Sequence, residues 1–132
     1  MASASRQSDT ASADVAALAK RAAEILVDNK ANDVVVLGLK GVSDMTDYFV
    51  IASGTSDTHV RALGQHVEEE LRVAGTRTQH VEGTSQGRWV LLDYFDFVVH
   101  IFHPTLREFY RLERLWSDAK VVWSSATPGR SP

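Results

Sequence analysis

The segment "RWVLLDYFDFVVHIF" (88–102) constrains this chain more than any other. Two runs rich in aromatic and β-branched residues, 88–94 and 97–102, are separated only by Phe95 and Asp96. That spacing predicts two strands joined by a tight turn. Side chains alternate across a strand, so Trp89 and Leu91 share one face while Val90, Leu92 and Tyr94 share the other. Both faces are apolar. Strands of this kind sit inside a sheet covered on both sides, or on one side by the protein and on the other by a partner.

The rest of the chain supplies the elements for such a sheet. Val15, Leu18, Ala22, Ile25 and Leu26 recur at helical spacing to about Lys30, with Ser12 or Asp14 as cap. "DVVVLGLK" (33–40) and "DYFVIAS" (47–53) are strands joined by a loop short enough to favour an antiparallel pair. A second helix runs from about Ser56 to Ala74 on a stripe of Val60, Leu63, Val67 and Leu71, and Gly75 sits where a helix-terminating glycine belongs. "TRTQHVE" (76–82) is a weak strand suited to an edge. Pro104 opens a last helix, Thr105 to about Asp118, after which "KVVWS" trails off. The order α-β-β-α-β-β-β-α implies an α/β (α+β) single domain, with a mixed sheet of about five strands packed with helices and one crossover.

Residues 12–123 read as this one unit, and 1–11 and 124–132 as polar tails too poor in apolar residues to order themselves. With 14 Lys plus Arg against 17 Asp plus Glu the formal charge is −3, which argues against a protein that grips nucleic-acid backbone. The absence of cysteine excludes disulfides, thiolate catalysis and Cys-ligated zinc. No apolar run is long enough to span a bilayer, and "MASASRQSDTASAD" lacks the apolar core of a secretory signal. The cytoplasm is the expected compartment.

Three kinds of chemistry come into question. "SGTSDT" (53–58) links a strand to a helix start, where unpaired amides and the helix dipole can hold phosphate. Gly54, Thr55, Ser56 and Asp57 are loosely similar to the Gly-Ser and carboxylate signature of nucleotidyltransferases. The second carboxylate at the usual spacing is missing, and no Lys follows as in a Walker loop. A turn and helix cap explains the stretch better. His59, His66, His100 and His103 offer no third ligand at catalytic-zinc spacing. No serine sits in a nucleophile elbow, and Asp93 and Asp96 bracket a turn where Asp bonds nearby backbone. We therefore expect no catalytic residue, cofactor or metal. The aromatic residues point elsewhere. "HPTLREFYRLERLWSD" (103–118) surrounds a helix with apolar side chains and balanced charges. Phe95, a large aromatic in a turn beside Trp89 and Tyr94, suggests an exposed contact patch.

Taken together, "TDYFVIASGTSDTHV" (46–60), "WVLLDYFDFVVHIF" (89–102) and "REFYRLERLW" (107–116) resemble the ribosomal silencing factor (Iojap) family over about residues 14–118. The resemblance implies a bacterial, cytoplasmic member with a nucleotidyltransferase-like fold that lacks the catalytic residues. It implies binding to the large ribosomal subunit through its protein number fourteen, steric blocking of small-subunit joining, and repression of translation under starvation. The family's contact surface maps here onto Trp89, Asp93, Tyr94 and Tyr110. Phe95 departs from the family, in which many members have glycine before the Asp. Two alternatives stand beside this reading: a nucleotide-binding or nucleotidyltransferase enzyme using the Gly54–Ser56 turn, and a homo-oligomeric module whose aromatic patch meets its own copy. A homodimer through that patch would compete with the ribosome. No membrane and no sequence-specific nucleic acid is expected as a partner.

Overall fold

The structure, a computed structural model, describes residues 3–107 and 118–125. Its elements are α1 (Ser3–Asp28), β1 (Asn32–Gly38), β2 (Tyr48–Ser53), α2 (Asp57–Val73), β3 (His80–Glu82), β4 (Trp89–Asp93), β5 (Phe97–Phe102), α3 (Pro104–Arg107) and β6 (Lys120–Ser124). This is the expected mixed α+β domain with two differences. Helix α1 begins at Ser3, ahead of the Ser12 or Asp14 cap. The "KVVWS" run is a sixth strand rather than a trailing segment. The expected Thr105–Asp118 helix is described only at its start, as α3; its residues 108–117, Tyr110 among them, lie outside the described residues.

The sheet order is β3-β4-β5-β2-β1-β6. Strands β1 and β2 pair antiparallel, as the short loop requires, and β6 adds antiparallel to the far side of β1. Strand β2 runs parallel to β5. The crossover between them passes through α2 and the antiparallel β3–β4 pair, and β4 returns beside β5 as a hairpin.

Local chemistry fixes the helix ends. Ser56 takes the extended cap conformation of α2, and its Oγ accepts the His59 N–H at 3.1 Å. At the other end the Gly75 N–H donates to the Arg72 carbonyl and the Thr76 N–H to the Leu71 carbonyl, with Gly75 at φ +101. That pair of bonds is the Schellman termination. Helix α1 ends the same way, with Lys30 N–H to Val27 and Ala31 N–H to Leu26, although the left-handed position is held by Lys30 at φ 74 rather than by a glycine.

Both helices cover one face of the sheet. Ala19, Ala22, Ala23, Ile25 and Leu26 of α1 and Val60, Leu63, Val67 and Leu71 of α2 pack on Val36, Val50, Ala52, Val90, Leu92, Val99 and Ile101. The opposite face carries a smaller cluster of Val35, Leu37, Leu39, Ile51 and Phe102, flanked by the half-buried Phe49, Trp89 and Leu106. One face of the hairpin is thus core, and the other is only partly covered.

Candidate functional site

The strand-turn-helix at 53–58 uses its own hydrogen-bonding groups. The Thr55 N–H donates to His59 Nδ1 at 2.9 Å, the His59 N–H to Ser56 Oγ, and the Gly54 N–H to the Phe102 carbonyl at 2.9 Å. Because Nδ1 accepts, Nε2 carries the proton and donates to the Asn29 carbonyl at 2.9 Å, tying the turn to the end of α1. A Cβ at Gly54 would meet Val60 Cγ2 at 2.7 Å, so glycine is needed for the close approach of β2 to α2. Cap and turn account for the residue choices here. Among the described residues no group of three or more His, Asp or Glu converges as a metal ligand set. His103 caps the start of α3, its Nδ1 2.9 Å from Thr105 Oγ1.

The β4–β5 hairpin separates the sequence-derived contact residues. Trp89, Leu91 and Asp93 lie along the partly covered face and are half-buried. Tyr94 points the other way, is 6% exposed, and stacks on Phe97 with ring centroids 4.8 Å apart. Its hydroxyl is buried without a hydrogen-bond partner among the described residues. Burial, with a smaller contribution from the negative charge of Glu68, pushes its phenol above the usual tyrosine range. The tyrosine ring is therefore core rather than surface.

Trp89 is held by a partner that the sequence did not reveal. Its indole N–H donates to His100 Nδ1 at 3.1 Å, and its ring stacks on Phe102 at 5.0 Å. His100 is buried, edge-on to Phe49 at 4.6 Å, and its Nε2 has no hydrogen-bond partner among the described residues. Burial among these rings lowers its pKa from 6.5 to about 4, so it is neutral. The signal was the alternation itself: a histidine two residues from Phe102 on an apolar strand shares the tryptophan's face.

The tip is the exposed part. Phe95 is 69% exposed and sits at φ 73, a region that disfavours a side chain. The Asp96 N–H donates to the Tyr94 carbonyl at 2.8 Å, so Phe95 is the central residue of a rare γ-turn. Asp93 Oδ1 accepts the Phe95 N–H at 2.8 Å, as expected of an Asp bracketing a turn. Thr46 Oγ1 donates to the Phe95 carbonyl at 3.0 Å and the Asp47 N–H to the Asp96 carbonyl at 2.9 Å. Those two bonds bring the β1–β2 loop against the tip, and with it Met45, 87% exposed. Met45 had no sequence signal beyond being a lone methionine in a polar loop. The structure brings Asp93 and Phe95 together, leaves Trp89 at the far end of β4, and turns Tyr94 inward.

The family model described as "Ribosomal silencing factor during starvation" matches residues 12–131. The Bacillus subtilis protein named ribosomal silencing factor RsfS is 39% identical over 103 residues, 78% of this chain and 87% of that protein. A crystal structure from Chromobacterium violaceum superposes with a TM-score of 0.70 at 32% identity, covering 87% of this chain and 95% of that one. A mouse protein named mitochondrial assembly of ribosomal large subunit protein 1 is 32% identical over 96 residues, 70% of this chain but 42% of its own length.

Proposed function

Because this chain belongs to the ribosomal silencing factor family, we propose that it binds the large ribosomal subunit through protein number fourteen and blocks small-subunit joining. It thereby represses translation under starvation, in the cytoplasm. The observation that carries the reading is the β4–β5 hairpin. It offers an aromatic, partly covered face at Trp89 and an exposed aromatic at Phe95, while the catalytic-looking turn is occupied by its own cap. No reaction is required of it. A standard interface covers about 800 Å² per partner, roughly a tenth of this protein's 7990 Å² surface, and a body of 14.6 kDa on a joining surface excludes the other subunit by its bulk.

Within this proposal Trp89, Asp93 and Phe95 are the contacts from the described residues, and Tyr110 is carried from the family resemblance alone. Tyr94 serves by packing the turn from beneath. The test is co-sedimentation with isolated large subunits, followed by addition of small subunits. Wild-type chain should pellet with the large subunit and reduce joining, and Trp89→Ala should lose both while keeping its circular dichroism spectrum. A folded Trp89→Ala variant that pellets as well as wild type removes the site assignment.

A further inference from the structure

Isolated exposed apolar side chains are ordinary on a protein surface. Met45 and Phe95 are not isolated: they stand on two loops joined by the Thr46–Phe95 and Asp47–Asp96 hydrogen bonds. The Met45 N–H is itself held by Ser43 Oγ at 3.1 Å, and the backbone N–H and C=O groups of Phe95 and Asp96 are engaged by Asp93, Tyr94, Thr46 and Asp47. The result is a braced apolar prong, with Phe95 kept outward in a conformation that a glycine would adopt more easily.

The prong has carboxylates for neighbours: Asp44, Asp47 and Asp96 are exposed on the same two loops, and Asp93, the last residue of β4, is half-buried with its Oδ1 on the Phe95 N–H. Lys40 is the cation nearest in sequence; it lines a neighbouring groove with Asp47, Tyr48, Asp118 and Lys120, which leaves Asp44, Asp93 and Asp96 as the carboxylates of the tip itself. An acidic tip repels phosphate backbone and anionic lipid. It also opposes a two-fold contact of the prong with its own copy, which would set the aspartates face to face.

We infer that the Met45–Phe95 prong is a second anchor, separate from Trp89 at the opposite end of β4, and that it seats in an apolar socket rimmed by basic side chains on a protein component of the partner. This rests on the ribosomal reading and selects, within a subunit made of RNA and protein, a cationic protein surface. Apolar anchors inside a charged rim are the arrangement of interface hot spots, and the rim supplies orientation and on-rate.

The experiment compares pelleting with isolated large subunits for wild type, Trp89→Ala, the double variant Phe95→Gly/Met45→Ser, and Asp44→Asn/Asp96→Asn, at low and high salt. The prong variant should bind at least tenfold more weakly with a thermal midpoint no lower than wild type. The aspartate variant should bind more weakly at low salt and converge with wild type at high salt. If the prong variant pellets as wild type while Trp89→Ala is lost, the inference falls and the ribosomal reading stands. If wild type itself does not pellet, both fall. Tighter binding by the aspartate variant identifies RNA as the occupant and overturns the inference. So does a wild-type dimer, seen by sedimentation of the chain alone, that the prong variant dissolves.

Discussion

Acidification should destabilise this protein in part through one buried histidine. His100 is buried between Phe49, Trp89 and Phe102, and its Nδ1 accepts the Trp89 indole N–H. Protonation would put a charge among these rings and a second donor where the indole needs an acceptor. The folded pKa is about 4 against 6.5 in the unfolded chain. The unfolded state therefore takes up the proton first, so this contribution is fully present above 6.5 and is lost as the pH falls toward 4. At 1.36 kcal/mol per pH unit, the loss is about 2.5 kcal/mol by pH 4.5. That is a large part of the 5–15 kcal/mol that stabilises a typical domain. Urea titrations followed by circular dichroism at pH 7.5 and 4.5, on wild type and His100→Phe, measure it. The variant will be destabilised at both values, because the indole loses its acceptor. Its further loss on acidification should be about 2.5 kcal/mol smaller than that of wild type, since the carboxylates and the other histidines are common to both. Equal losses in the two proteins would refute the argument.

Three other substitutions test the backbone and the core by thermal or urea denaturation. Lys30→Gly relieves a left-handed residue that already makes the terminating bonds of α1, and should stabilise the fold by up to about 1 kcal/mol. Gly83→Ala places a Cβ 1.9 Å from the Trp89 carbonyl oxygen at φ +83, so the loop into β4 must shift; a loss of about 2 kcal/mol or more is expected. Tyr94→Phe removes a buried hydroxyl that has no partner among the described residues, and should raise stability by about 1 kcal/mol.

What the sequence disclosed and what it hid divide along the range of the interactions. The Ser56 cap and the Gly75 terminus depend on bonds a few residues long, so residue types at fixed offsets reveal them. Strand β6 depends on β1, which lies near the other end of the chain, and a five-residue run after a helix gives no periodicity from which to infer that pairing. The two-residue alternation placed Trp89 and Tyr94 on opposite faces. Only the packing of α1 and α2 decides that the Tyr94 face is core, so Trp89 and Tyr94 do not share one exposed patch. Met45 entered the tip through a side-chain bond from Thr46 to Phe95, and no linear pattern encodes that.

The proposed docking role sits on a fold whose 53–58 turn has the outline of a nucleotide site. Phosphate binding at a helix start requires free amides and room for the ligand. Here the Thr55 amide goes to His59, the His59 amide to Ser56, the Gly54 amide to Phe102, and the space a Cβ would take at Gly54 is filled by Val60. His59 then spends its remaining nitrogen on Asn29, so the turn locks the end of β2 to the end of α1. The parallel β2–β5 pair runs from this lock to the other end of the sheet, where the Thr46 and Asp47 bonds meet the hairpin tip. Turn groups that could face a ligand are here engaged in tying β2 to α1, α2 and β5, while Thr46 and Asp47 at the other end of β2 hold the tip. A contact surface gains from such bonds, because ordering costs met in the free protein are not charged again on binding.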